Sequence, residues 1–188
     1  MTPARTGRHD REHIVSVALD LLDRFGLPDL TMRRLAAELD VQPSALYWHF
    51  SSKQDLLAAV AERILSRIGA PPEPGTTVSL PDAARRIRDA LLAYRDGAEV
   101  VMSSAALRPG PSRAHDLLLA ALDEDAAAAT AVLQFVLGHT LIVQQRMHAE
   151  SHGAAAPPSA DSPVDQDVFA TGLALLSRGA GRSAVSQG

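Results

Sequence analysis

The chain has no cysteine, a single lysine and a single tryptophan in 188 residues, and only 4% of its residues are aromatic. Without cysteine there is no disulfide framework, zinc–thiolate centre or cysteine nucleophile. Gly-x-Gly-x-x-Gly and Gly-x-Ser-x-Gly are also missing, so the sequence encodes neither a dinucleotide loop nor a nucleophile elbow, and an enzyme is not expected. No β-alternation of useful length and no internal repeat occurs. The N-terminus lacks a basic segment followed by an unbroken apolar run, and the longest apolar stretch, Ala126 to Val143, is interrupted by Thr130, Gln134, His139 and Thr140. That falls short of the roughly 18 to 20 apolar residues of a membrane span, so the expectation is a cytoplasmic protein with neither a secretory signal nor a membrane partner.

What is present is apolar and rich in arginine. A hydrophobic content of 46% excludes wholesale disorder. Arginine supplies 17 of the 18 basic side chains; with abundant alanine, this reads as the codon bias of a GC-rich genome. The net charge of −4 would argue against a nucleic-acid partner, yet it is unevenly placed. Residues 1–67 carry nine basic and nine acidic side chains, and residues 68–188 carry nine and thirteen. DNA binding by the neutral first third must therefore rest on local placement of charge.

Hydrophobic periodicity predicts an all-α chain. After a basic arm over residues 1–8, Ile14, Ala18, Leu21, Leu22 and Phe25 form one helical stripe that Gly26 stops. Thr31 caps a second, shorter helix, and a third begins after the Asp40-Val41-Gln42-Pro43 turn. Ser52-Lys53-Gln54-Asp55 has capping-box spacing and opens a longer helix. The proline- and glycine-rich run 69–80 cannot be regular helix. Further helices are predicted from about Pro81 to Asp96, with Ser79 and Asp82 as a capping box, from Val100 to Leu107, from Ser112 to Leu122 and over 125–149. The last of these is apolar on nearly all sides between Val132 and Val143, which in so short a chain points to a subunit interface. Ser162-Pro163-Val164-Asp165 starts a final helix near 163–178. The expected division is a 1–67 helix-turn-helix domain with its connecting helix, a 68–80 linker, an 81–178 ligand-binding and dimerisation domain, and a flexible tail over 179–188.

The informative segment is Leu30 to Phe50. It reads as two short helices joined by a tight turn, each too short to stand alone and so packed on the first helix. The second is polar, small and aromatic where a core helix would be aliphatic: Gln42, Ser44, Tyr47, Trp48 and His49 can donate to phosphates or base edges. Thr31 and the amides behind it can hold a phosphate, with Arg33, Arg34 and Lys53 flanking the duplex. Spacing and chemistry alone also allow an ordinary helical corner carrying a surface aromatic cluster.

This segment resembles the N-terminal domain of the tetracycline-repressor (TetR) family of bacterial transcriptional regulators, through Phe25-Gly26, Leu30-Thr31-Met32-Arg33-Arg34-Leu35-Ala36, Leu46-Tyr47-Trp48-His49-Phe50, Lys53 and Leu56-Leu57. Ala90 to Ala98 and Leu137-Gly138 extend the resemblance, more weakly, into a C-terminal domain like that of the tetracycline repressors themselves. The resemblance implies a homodimer held by a four-helix bundle, with double-stranded operator DNA as partner and a small-molecule inducer in the second domain. Thr31, Arg33, Tyr47, His49 and Lys53 would then position the backbone, and Gln42, Pro43, Ser44, Ala45 and Trp48 would read bases. Such a protein would work at the bacterial nucleoid. The alternatives are a ligand-binding helical module that no longer binds an operator, and an activator.

By the same resemblance, a histidine and a glutamate that help hold magnesium–tetracycline are replaced by Val101 and Ile142, and a threonine by Ser104. Polar drug contacts become Gly69 and Ala83, and an aromatic becomes Ile87. Valine and isoleucine offer a divalent ion no ligand, so neither a metal, a cofactor nor magnesium–tetracycline is expected, and the inducer should be more apolar. Candidate pocket residues are Ile87, Tyr94, Val101, Met102, Ser104, His115, Gln134, Phe135 and His139. Arg95-Asp96 reads as a structural ion pair, and the pairs His9/His13 and His148/His152 as solvated histidines.

Overall fold

A computed structural model of the chain describes residues 10–70, 76, 78–107, 112–151, 153 and 165–183, all of them helix or connecting turn. The first helix, α1, spans Arg11–Phe25 and is capped by Asp10, whose carboxylate accepts the His13 amide at 2.8 Å. Gly26 ends it at φ 85°, a left-handed value that suits glycine, and its N–H donates to Leu22 O at 2.7 Å. Helix α2 (Met32–Glu38) is capped by the Thr31 hydroxyl as the sequence predicts, accepting from Arg34 N at 3.1 Å. Helix α3 is a single turn, Pro43–Leu46. Helix α4 (Lys53–Leu65) begins at the Ser52 cap, and a 3-10 turn, Ser66–Ile68, follows it. The return half of the predicted capping box is displaced by one residue, because the Asp55 carboxylate accepts from Ser51 N at 3.1 Å.

Ile14, Ala18, Leu22, Leu30, Leu35, Leu46, Phe50, Leu56 and Val60 are fully buried together. Each large member contributes about 1.5–3 kcal/mol by leaving water, which is what holds helices as short as α2 and α3 in place. Between those two helices the chain turns through a Schellman motif, with Val41 N on Ala36 O (3.0 Å) and Asp40 N on Ala37 O (3.3 Å). Asp40 occupies the left-handed position, φ 55°, where glycine is usual.

The second domain comprises α5 (Leu80–Leu92), α6 (Gly97–Leu107), α7 (Arg113–Ala121), α8 (Ala126–Ser151) and α9 (Asp165–Ser183). Three expectations change. The helix predicted to reach Asp96 stops at Leu92, because Asp96 is left-handed (φ 55°) and a new helix starts at Gly97. A side chain at Gly97 would put its Cβ 2.3 Å from Leu91 O, so only glycine fits. Ser79 precedes α5 but makes no side-chain cap bond, Pro81 in the first turn having removed one of the donors it would serve. Helix α9 continues to Ser183, past the predicted end at 178. The arm over 1–8, the Ser162-Pro163 start signal and residues 71–75 and 77 of the 68–80 linker lie outside the described residues.

Helix α8 lies in the middle of this domain, packed against α5, α6, α7 and α9. Despite its four polar interruptions, its length and average hydropathy are those of a membrane-crossing helix, since valine, leucine and alanine outweigh them. Only part of its surface is covered by its own chain. Ile142 and Met147 on α8 remain 61% and 57% exposed, and Val168 and Leu175 on α9 remain 41% and 58% exposed.

Candidate nucleic-acid interface

Leu46 and Phe50 are buried to 1% and 0% and fix α3 from beneath, so the residues between and before them must face outward. Gln42, Pro43, Ser44, Tyr47, Trp48 and His49 are exposed, Trp48 at 89%, while Ala45 is half-buried. An indole left almost wholly in water beside a phenol and an imidazole is an unusual surface for a protein alone. Arg11 anchors the far end of this row. Its Nη1 donates to His49 O at 2.6 Å, and its guanidinium lies 4.2 Å from the centre of the Phe50 ring.

The basic residues divide into two kinds. Arg33 is exposed on α2 and makes no ion pair or hydrogen bond among the described residues. Arg34, expected beside it on the duplex, is turned inward, 2.5 Å from Asp29 and stacked 3.7 Å from the centre of the Phe25 ring. That placement makes Arg34 first a brace for the α1–α2 corner. Lys53 is half-buried at the first turn of α4. Thr31 is exposed; the cap uses its oxygen as acceptor and leaves the O–H free to donate outward. Thr31, Arg33 and the α3 row together offer donors, a charge and flat rings, the requirements for contacting phosphates and base edges.

A second set of contacts joins this surface to the rest of the molecule. The Asp96 carboxylate, 6% exposed, accepts Leu27 N at 2.8 Å and lies 3.3 Å from His148 Nδ1 on α8. Arg95 N donates to Asp23 at 3.1 Å. Arg95-Asp96 is therefore not an ion pair within itself but two tethers to the α1 terminus, and His148 is not a solvated histidine. The cause is the left-handed turn at Asp96, which aims the carboxylate at Gly26-Leu27. Gln144, which no sequence motif singles out, is buried in α8. Its amide donates to Leu91 O (3.2 Å) and Tyr94 O (2.8 Å) and its oxygen accepts Ala98 N (3.0 Å). One side chain thus satisfies the end of α5 and the start of α6.

The nine candidate pocket residues have different surroundings among the described residues. Ile87 and Val101 are core, and Gln134 points to solvent in the single subunit. His115 Nε2 meets Thr130 Oγ1 at 3.3 Å. Phe135 and His139 form a ring cluster with Phe169 of α9, with centroids 5.1 to 6.0 Å apart. Tyr94, in the turn between α5 and α6, and Met102 and Ser104 on α6 are half-buried. Among the described residues no group of three histidines or acids is placed to hold a metal ion.

Comparison with known proteins agrees with this geometry along nearly the whole chain. Residues 14–60 match the model of bacterial regulatory proteins of the tetR family, and residues 70–177 match that of the tetracyclin repressor-like C-terminal domain. The tetracycline repressor protein class D of Escherichia coli is 32% identical over 92% of this chain and 89% of its own length. The class A repressor of transposon 1721 is 44% identical, over 52% of this chain and 45% of its own length. Among solved structures, Mycobacterium smegmatis BioQ superposes with a TM-score of 0.77 at 37% identity, covering 92% of this chain and 97% of BioQ. BioQ with its double-stranded DNA operator gives 0.73 at 35% identity, covering 92% and 98%.

Proposed function

The chain belongs to the TetR family of bacterial transcriptional regulators, a sequence-specific DNA-binding protein and not an enzyme, and we propose that it is a homodimeric repressor released from its operator by a small molecule. The observation that carries this reading is the outward row Gln42 to His49, held from below by Leu46 and Phe50 and flanked by Thr31 and Arg33. Each subunit sets this row in the major groove of one half of a near-palindromic site. Thr31, Arg33, Tyr47, His49 and Lys53 position the backbone; Gln42, Pro43, Ser44 and Trp48 read bases, with the half-buried Ala45 offering its methyl from deeper in the turn. The exposed apolar strips of α8 and α9 are covered by the second copy rather than by lipid, as in a four-helix bundle.

Release follows from the tethers. A ligand that moves α6 pulls on Asp96 and Arg95, and through them on Leu27 and Asp23, while α4 packs along α6. Two half-sites about one helical turn apart tolerate little change in the separation of the reading helices, so a small tilt shifts the population to the unbound form. The test is a mobility shift on the DNA flanking the protein's own gene at several salt concentrations. A sequence-preferring, salt-dependent complex is expected; no sequence preference at any salt overturns the reading in favour of a ligand-binding module. Deletion of the gene should raise expression of the neighbouring target, and a fall would make the protein an activator.

A further inference from the structure

Between α5 and α9 lies a cavity of about 550 Å³, within the usual size of small-ligand sites. Leu80, Phe169 and Leu173 supply apolar wall, and Arg85 and Arg88 line one side. The two arginines differ. Arg85 is held by Asp82 at 2.6 Å. Arg88 is sequestered, its side chain 19% exposed, with its guanidinium 4.9 Å from the centre of the Phe169 ring. Its Nε is buried with no hydrogen-bond partner. Its described carboxylate contact is the adjacent Asp89, 59% exposed and at 3.4 Å, the long end of the range for such a bond. Arg88 also lines the cavity, and a permanently charged donor held there only by that loose, exposed carboxylate calls for an acceptor from the cavity side.

The sign and size of that acceptor follow from the surroundings. Asp82 holds Arg85 and the exposed Asp89 offsets Arg88 only loosely, so a single negative charge is accommodated where a dianion would meet their repulsion. The apolar walls call for a hydrocarbon or aryl body. The cavity is also separate from the expected subunit contact. Val168 and Leu175, seven residues apart, mark the outer face of α9, and at 100° per residue Ala170, Leu173, Ala174 and Ser177 fall on the opposite side. Covering the outer face with a second copy leaves the cavity open.

We propose that the α5–α9 cavity binds a small amphiphilic monocarboxylate, its carboxylate on Arg88 and its apolar body against Leu80, Phe169 and Leu173. Two residues earlier on α5, Arg86 Nε donates to Ile68 O at 3.1 Å, a bond reinforced by its Nη2. The occupant thus sits on the helix that holds the end of the α4 connection.

Binding at this cavity needs no operator and is measured on the full chain without DNA, so its failure and a failure of operator recognition are read separately. Decanoate and decan-1-ol are titrated by calorimetry into the wild type, Arg88→Gln and Leu173→Trp, each checked by thermal unfolding. Decanoate should saturate one site per subunit and decanol should bind about tenfold more weakly, the worth of a charge-assisted bond. Arg88→Gln should raise the decanoate Kd by about the same factor and leave decanol unchanged. Leu173→Trp, which fills the cavity, should abolish both. Should that variant fail to fold, the two ligands on the wild type and Arg88→Gln decide the matter. The proposal is overturned if decanoate shows no saturable binding below its micelle concentration, if the alcohol binds as tightly as the acid, or if Arg88→Gln leaves the acid's Kd unchanged.

Discussion

The Asp96 carboxylate accepts the Leu27 amide at 2.8 Å across 69 residues of chain. It is a partly buried bond between the domain that carries the candidate reading surface and the one that carries the candidate ligand sites. Replacing Asp96 by alanine leaves the Leu27 N–H without its acceptor and puts a less tolerant residue in a left-handed turn. Urea unfolding should show a loss of about 1–3 kcal/mol. Unchanged stability would mean that water replaces the carboxylate at no cost.

Gln144 carries three bonds to backbone groups of the α5–α6 junction. Gln144→Leu keeps the volume but leaves Leu91 O and Ala98 N without this partner, Tyr94 O keeping the Gly97 amide, and should lower stability by about 2–4 kcal/mol. Gln144→Glu keeps the acceptor for Ala98 N and loses the donor for Leu91 O and Tyr94 O. The two variants measured side by side apportion the junction between its halves.

Arg33 and Arg34 are neighbours with different duties. Arg33→Ala should weaken binding across all DNA sequences and reduce the salt slope by about one. Arg34→Ala should change that slope less, because its charge already faces Asp29 and its plane the Phe25 ring. Gln42→Ala should alter sequence preference instead. Equal behaviour of Arg33→Ala and Gln42→Ala in a salt series on matched and mismatched sites would overturn the division of roles.

Leu175→Glu and Ile142→Glu place a carboxylate in the apolar strips that the single subunit leaves exposed. Sedimentation should show monomers where the wild type forms dimers, with operator affinity falling by more than a change in one half-site can cause. A variant that still sediments as a dimer would move the interface away from α8 and α9.

Magnesium–tetracycline should not release the protein from DNA. Val101 is buried at 5% exposure and Ile142 lies outside on α8, and neither side chain can ligate a cation. The check is a titration with the drug at millimolar magnesium during a mobility shift; relief of binding would show that other residues supply the ligands.

The helix-turn-helix was legible because its signals are local. Thr31 as a cap, Gly26 as a stop and the apolar stripe of α1 each act within a few residues. The second domain was less so, because its decisive groups act at a distance. Asp96 looks like half of an ion pair until the turn at φ 55° directs it to Leu27, and His148 looks solvated until α8 brings it to Asp96. Arg34 differs from Arg33 for a related reason: the nearby Phe25 ring and Asp29 carboxylate draw it inward. A cavity is less visible still, since Arg88 on α5 and Leu173 on α9 are 85 positions apart.

The proposed reading helix α3 is one turn long, and in the row from Gln42 to Phe50 only Leu46 and Phe50 are committed to the core. The side chains proposed to meet DNA therefore carry almost none of the burden of folding. Operator preference in such a protein can drift by substitution at Gln42, Ser44 or Trp48 while the scaffold stays intact, so new binding sites can be acquired faster than new structures.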